Sequence, residues 1–335
     1  MNNKRFSVYG IGNPLMDLIA YKDQDFISGI GVQPGTMNLV NTEEINILYD
    51  KLMEKAVKFE QVPGGSCANT LRGISWLSKQ DPANTPVYSG AVGKDDRGQE
   101  YIALMTRAGI NALISTKAVE TGYSIIIVTP DYERTMFTYL GACREFEESG
   151  INFDVLADSA ILHITGYMWD TENQKKAVRR AIRFARDNRV KVSFDLADPF
   201  VVNRNRDDFL SWIGDSVDLL FGNTEEFRIL TGNNSGTEQV VKEAGRITDC
   251  AIIKAGAEGC YINKGGSVLF SPGKKVKAAD TVGAGDSFAA GFLYGLLKDR
   301  DIQSTADLAN TVAANIVTVE GCNFGKLDYK NVFAV

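Results

Sequence analysis

Asp280-Thr-Val-Gly-Ala-Gly-Asp286, running directly into Ser287-Phe-Ala-Ala-Gly-Phe-Leu-Tyr-Gly-Leu-Leu297, is the stretch on which the reading of this chain turns. Its second half predicts a helix over 284–297 with an apolar face at Phe288, Phe292 and Leu296. Its first half is a glycine-containing turn that feeds the N-terminus of that helix. Backbone N–H groups at a helix start have no partner within the helix, so they take anions. Gly283 and Gly285 let the main chain come close to a phosphate. Asp286 falls in the first turn, beside that anion site. A carboxylate there is repelled by phosphate unless it has a task, such as accepting the proton of an attacking hydroxyl. The plain alternative is a complement to the helix dipole, worth a few tenths to about 1 kcal/mol.

Outward from this stretch the chain alternates. Strands are expected over 6–12, 87–92, 160–164, 190–196, 218–221 and 251–254. Helices are expected over 43–59, 66–77, 97–108, 172–187, 224–230 (capped by Thr224), 284–297 and 305–319. This βαβ rhythm predicts an α/β fold, a doubly wound, mostly parallel sheet with helices on both faces. Two regions break the rhythm. Residues of about 15–42 carry turn signals at Gly29, Gly31, Pro34 and Gly35. Residues of about 121–141 read as a hairpin, 124–129 and 134–140 about a Pro130-Asp131 turn. A small separate β-sheet built from both regions, a lid, is expected as an excursion from one domain spanning 1–335. No internal repeat or linker divides the chain.

Composition narrows the function. A length of 335 residues fits about two domains or one large α/β domain. With 44% hydrophobic and 23% charged residues the chain is neither disordered nor a low-complexity polymer. A net charge of −6 gives no global reason to hold nucleic acid or an anionic membrane. The N-terminus shows no signal-peptide core, and apolar runs break well before the roughly 18 residues of a membrane span. Five cysteines without a C-x-x-C pair read as reduced thiols of a cytoplasmic protein. The single histidine, His163, argues against a His-rich metal site and a Ser-His-Asp hydrolase, and reads as a core residue. Gly10-Ile-Gly12 lacks the third glycine of a dinucleotide loop, which disfavours an oxidoreductase. Gly321-Cys-Asn-Phe-Gly325-Lys326 is one residue short of a P-loop and is followed by Leu327.

Taken together, four segments resemble the ribokinase-like, or PfkB, carbohydrate and nucleoside kinases over nearly the whole chain. Gly64-Gly65-Ser-Cys-Ala-Asn69 is similar to that family's glycine-glycine signature, and 280–286 to its C-terminal one. Asn223-Thr-Glu-Glu226 looks like its Asn-x-x-Glu motif, and Lys254-Ala-Gly256-Ala-Glu-Gly259 like its nucleotide-side turn. Within the family the likeness is closest to adenosine kinases. It is carried by Gly12-Asn13-Pro14-Leu15-Met16-Asp17, Ser193–Phe200 and Gly321-Cys-Asn-Phe324, while 134–143 and Gly166-Tyr-Met-Trp169 look like the bacterial branch.

The resemblance implies an ATP-dependent, Mg²⁺-using kinase of a nucleoside 5′-hydroxyl, most readily that of adenosine. A free sugar (ribose or fructose), inosine or guanosine is the alternative acceptor, and a fold that only binds nucleoside is a further one. It implies that Asp286 is the base, and that the N–H groups of Gly283, Ala284 and Gly285 stabilise the transferring phosphoryl group. It gives Arg134, on the hairpin, closure over the phosphates. Asp17 would accept the two ribose hydroxyls, with Asn13, Gly64, Gly65 and Asn69 completing the sugar site. Met37, Met136, Leu140 and Tyr167 would form the base slot, Tyr167 offering a hydroxyl where some relatives have Phe. Asn223 and Glu226 would hold Mg²⁺, mostly through water, and Lys254, Gly256 and Gly259 would line the nucleotide side. Relatives also use a monovalent cation such as K⁺ near the anion loop. Monomer and homodimer both remain open.

Overall fold

A computed structural model describes residues 4–29, 36–55, 57–79, 85–130, 134–233 and 235–333. In chain order the strands are β1 (Phe6–Ile11), β2 (Leu15–Tyr21), β3 (Met37–Leu39), β4 (Glu60–Gly64), β5 (Val87–Gly93), β6 (Asn111–Lys117) and β7 (Thr121–Val128). They continue with β8 (Arg134–Gly141), β9 (Ser159–Thr165), β10 (Lys191–Asp195), β11 (Leu219–Asn223), β12 (Cys250–Lys254), β13 (Gly259–Lys264) and β14 (Ser267–Pro272). The helices are α1 (Gln24–Gly29), α2 (Thr42–Glu54), α3 (Ser66–Leu77), α4 (Asp96–Arg107), α5 (Phe153–Ala157) and α6 (Glu172–Asp187). After them come α7 (Pro199–Ser216), α8 (Thr224–Thr231), α9 (Thr237–Ile247), α10 (Ala284–Leu297), α11 (Ile302–Ile316) and α12 (Tyr329–Phe333).

The main sheet has nine strands in the order β14-β13-β12-β11-β10-β9-β1-β5-β6. From β12 to β6 every neighbouring pair is parallel, and β13 and β14 close one edge antiparallel. β9 shows why the centre is parallel: all seven residues of Ser-Ala-Ile-Leu-His-Ile-Thr are buried, so helices cover both of its faces. On one face α3, α4, α10 and α11 bring Leu71, Ile74, Tyr101, Phe288 and Phe292 onto Val8, Tyr88, Ile161 and Phe221. On the other, α5 to α9 bring Leu156, Val178, Phe209, Phe227 and Val241 onto Tyr9, Leu162, Phe194 and Ile253. Burying each such large side chain stabilises the fold by about 1.5–3 kcal/mol. The chain winds from β1 toward β6 on one side and from β9 toward β12 on the other. The strand order therefore reverses between β1 and β9, and the crevice beyond their carboxyl ends is where such a sheet takes a ligand.

The second sheet has five strands in the order β3-β8-β7-β2-β4. The expected hairpin is there, pairing Thr121 with Gly141 and Val128 with Arg134. Asp131 of its turn lies outside the described residues, as do Gly31, Pro34 and Gly35. The two expected regions do combine, β2 parallel to β7 and β3 parallel to β8. A third contributor, β4, was not expected. The helix predicted to reach residue 59 stops at Glu54, and Glu60–Gly64 pairs with β2 as an edge strand, a position that tolerates Pro63. Two other bounds shift. The expected helix at 305–319 starts earlier, at Ile302, because Asp301 caps it by accepting from Ser304 N. The cap of α8 is Asn223, not Thr224.

His163 is fully buried, its Nδ1 2.9 Å from Ser193 Oγ and its Nε2 without a partner, and burial pushes its pKa down to about 4. All five cysteines are buried and free. No helix among the described residues is long and apolar enough to cross a membrane.

Candidate active site

A cavity of about 470 Å³ opens where β1 and β9 end. Its floor is made by Asn13 after β1, Thr165 at the end of β9 and Tyr167 just after it, and the ends of β10, β11 and β12 at Asp195, Asn223 and Lys254. The anion loop and the start of α10, Thr281 to Asp286, form one wall. The second sheet forms the opposite wall with Asp17, Met37, Ile126, Met136 and Leu140. Most of the expected residues thus share one cavity; Gly64, Asn69, Arg134 and Gly259 do not line it.

Asp286 is held from two directions. Ser66 donates to its Oδ1 at 2.6 Å and the Asn69 amide to its Oδ2 at 3.0 Å. Arg72 donates to Asn69 Oδ1 at 3.1 Å and to the Pro63 carbonyl at 2.8 Å, fixing which way the Asn69 amide points. Burial raises the pKa of Asp286, and the two donors and Lys254 oppose that rise. The Asn69 amide, expected at the sugar site, donates to Asp286 instead of lining the cavity, because α3 packs on α10 and turns this position toward Asp286. Ser66 and Arg72 were missed. They lie beside the recognised glycines, but only the packing of two helices distant in sequence brings them to Asp286.

Gly283 caps α10 at φ 72, and a Cβ there would lie 2.5 Å from Cys322 Sγ, so a side chain is excluded twice over. The N–H of Ala284 turns back to the Thr281 carbonyl at 3.2 Å, which corrects the expectation of three free donors and leaves Gly283 and Gly285 for an anion. Asp280, at the head of the loop, accepts from Val282 N at 2.9 Å and Gly321 N at 2.5 Å, which is why the segment 321–324 lies beneath the loop. Arg134 forms an ion pair with the same carboxylate. Its guanidinium is therefore engaged at the foot of the loop and not in the cavity, because a nearly buried Asp280 demands a countercharge.

Asp17 accepts no hydrogen bond from a described residue and faces the cavity. Burial pushes its carboxyl up to about 7, Arg72 and Arg134 pull it down, and Asp286 pushes it up. Its carboxylate lies against Gly64, where any Cβ would overlap it; Tyr101 pins the Gly64 carbonyl at 2.9 Å. Gly64 thus serves the site from behind Asp17. Asn13 lines the cavity, but its amide donates to the Tyr167 carbonyl at 3.1 Å and accepts from Gln174 at 2.9 Å.

On the opposite side Asn223 and Glu226 form a capping box. Asn223 Oδ1 accepts from Glu226 N at 2.8 Å, while Glu226 Oε2 accepts from Asn223 N at 2.8 Å and Oε1 from the Asn223 amide at 2.6 Å. Burial pushes Glu226 up to about 7 against the pull of Lys254. Each of its oxygens keeps a second lone pair. That fits a Mg²⁺ ion, which these two residues would hold through water. Among the described residues no group of three His, Cys, Asp or Glu side chains could hold a metal by itself. Lys254 Nζ lies 2.8 and 3.1 Å from the two oxygens of Asp195, which was also missed. Gly256 lines the cavity, whereas Gly259 begins β13 and its carbonyl accepts from Ala255 at 2.8 Å.

The apolar wall comes from the second sheet. Met37 and Met136 are register partners on β3 and β8, with Leu39, Ile126 and Leu140 beside them and Tyr167 across. Leu39, Thr138 and Leu140 also border an outer cleft of about 810 Å³, so the wall continues outward. Three residues on from Ala197, which lines the cavity, the Phe200 ring is 81% exposed at the start of α7.

Residues 35–328 match the family described as pfkB family carbohydrate kinase. An adenosine kinase from Sinorhizobium meliloti, a crystal structure, superposes with a TM-score of 0.87 at 30% identity, covering 95% of this chain and 96% of that one. A probable sugar kinase from Rhizobium etli CFN 42 does so with a TM-score of 0.86 at 29% identity, covering 96% and 95%. A 5-dehydro-2-deoxygluconokinase from Bacillus subtilis (strain 168) is 26% identical over 81% of this chain and 85% of its own length.

Proposed function

The chain belongs to the pfkB family of carbohydrate kinases, phosphotransferases that act on alcohol groups, and from that premise we propose that it transfers the γ-phosphate of ATP to the 5′-hydroxyl of a nucleoside, adenosine foremost. The observation that carries this choice of acceptor is the apolar wall of Met37, Leu39, Ile126, Met136 and Leu140 facing Tyr167. A free sugar would leave that wall wetted; a flat purine would cover it.

In this reading Asp17 accepts the 2′ and 3′ hydroxyls and fixes the ribose. Asp286 takes the 5′ proton late, as the bond to phosphorus forms, and orients that oxygen in line. The N–H groups of Gly283 and Gly285 face the charge that develops on the phosphoryl oxygens. Mg²⁺, reached from Glu226 and Asn223 through water, would neutralise and align the donor phosphates when bound. The second sheet acts as a lid that excludes water, so that ATP is not hydrolysed.

A free-sugar acceptor is the second reading, favoured by the polar side chains of Asn13, Asp17 and Asp286 that line the cavity and by the names of two of the relatives. An ATP-coupled assay over adenosine, inosine, guanosine, ribose, fructose and 5-dehydro-2-deoxygluconate separates the two. Adenosine is expected to give the highest kcat/KM. Turnover of a sugar with none of any nucleoside would overturn the assignment.

A further inference from the structure

The cavity that must receive a triphosphate is lined by carboxylates at Asp17, Asp195, Glu226 and Asp286, and by one cation among its described residues, Lys254. Arg134 does not line it and is paired with Asp280. Lys254 and Asn223 are register partners at the ends of β12 and β11, with Asp195 at the end of the adjoining β10. The Lys254 and Asp195 side chains are only 15% and 4% exposed. Asp195 is fixed from behind: its Oδ1 also accepts from Ala197 N at 3.1 Å, in a turn where Ala197 is held at φ 73. The mobile partner is therefore the lysine, whose four-carbon stem carries a compact ammonium with three donors. That ammonium already faces the anion loop, because a Cβ built on Gly285 would stand 3.3 Å from Nζ.

We propose that Lys254 is the catalytic cation that binds the transferring γ-phosphoryl group, and that Asp195 is the positioning residue on which it rests while the site is empty. The inference rests on ATP being the donor and not on the identity of the acceptor. When ATP enters, its γ-phosphate competes with Asp195 for the ammonium. In the transfer step the bond from the γ-phosphorus to the bridging oxygen breaks, its electron pair leaving with ADP. The bond from the acceptor oxygen to phosphorus forms, the acceptor proton passes to Asp286, and Lys254 keeps its own protons while countering charge on the phosphoryl oxygens.

The test uses the full chain and whichever acceptor the wild type phosphorylates, so a sugar-only result overturns the nucleoside assignment without touching Lys254. Lys254→Gln is expected to lower kcat by about 10²–10³-fold, with Lys254→Arg recovering a substantial part. Calorimetric titration with Mg²⁺ and either ADP or a β,γ-imido ATP analogue gives a second readout. Lys254→Gln should weaken the analogue by about tenfold more than it weakens ADP. Asp195→Asn should lower kcat less, and the double variant, which removes both buried charges and so guards against misfolding of the single one, should be no slower than Lys254→Gln alone. Equal losses for ADP and the analogue, or kcat of Lys254→Gln within about threefold of wild type, would overturn the role of Lys254. A double variant whose losses multiply would overturn the role of Asp195.

Discussion

Asp286 receives two hydrogen bonds, and both favour its charged form. In the role of base proposed for it Asp286 must be ionised, and the donors would keep it so at lower pH than burial alone would allow. Removing one donor raises the pKa, and the acid limb of kcat moves to higher pH. For Asn69→Leu the shift is expected to be about one pH unit, since a hydrogen bond to a charged group is worth ~1.5–3 kcal/mol and one unit is about 1.4. A kcat–pH profile with an unmoved acid limb would show that Asn69 does not tune the base. At this scale the chain was legible where chemistry is local. The glycine turn and Asp286 are contiguous, so 280–286 could be read as a unit. Ser66, Arg72 and Asp195 could not, because each acts on a residue brought near only by α3 against α10 or by adjacent strands. Arg134 shows the converse: its place on the hairpin was legible, but its partner, Asp280, lies 146 residues away.

Elements were legible in proportion to their periodicity. β9 and α6 declare themselves, one wholly apolar apart from short polar groups and the other with a regular buried stripe at Ala177, Val178, Ala181 and Ala185. α7 does not, since its helical geometry breaks at Asn205, where φ is −118° and ψ 15°. It is placed instead by aromatic packing, Phe209 against Trp169 at 5.4 Å and Phe194 at 5.3 Å between ring centroids. β4, β6 and β14 went unread because edge strands carry little alternation, and β13, an interior strand of six residues, went unread with the hairpin it forms with β14. The start of α8 at Thr224 is as expected, but its cap is one residue earlier, with a functional consequence. Asn223 both caps the helix and restrains the Glu226 carboxylate. Asn223→Ala is therefore expected to cost about 1 kcal/mol in urea unfolding. It should also raise the Mg²⁺ concentration needed for half-maximal rate; a change in stability with no change in Mg²⁺ dependence would reduce Asn223 to a cap.

At the scale of the molecule, two sheets meet across one cavity, and the Arg134–Asp280 pair ties the β8 end of the smaller one to the anion loop of the larger. Breaking a buried pair costs several kcal/mol. Arg134→Met should accordingly speed amide hydrogen exchange in Thr121–Val128 and Arg134–Gly141 by about tenfold or more, while β9 and β10 keep wild-type protection. Equal protection in both proteins would mean that the pair does not hold the second sheet in place. The βα alternation made the larger sheet legible, and the interruptions of that alternation located the smaller. They share one apolar cluster, in which Met16, Leu18 and Ile125 meet Leu71 and Tyr101; the ion pair added to it joins positions 146 residues apart and has no counterpart in local sequence.

The burial of every cysteine gives the molecule a property of a different kind. Thiol reagents attack the thiolate, and burial pushes the thiols of Cys250, Cys260 and Cys322 up to between about 11 and 12. The native protein should thus stay dark to a maleimide dye, and each labelled chain counts an opening event. Cys322 lies directly under Gly283, so its labelling rate clocks the anion loop, while Cys260, on β13 opposite Ser271 of β14, clocks the far edge of the large sheet.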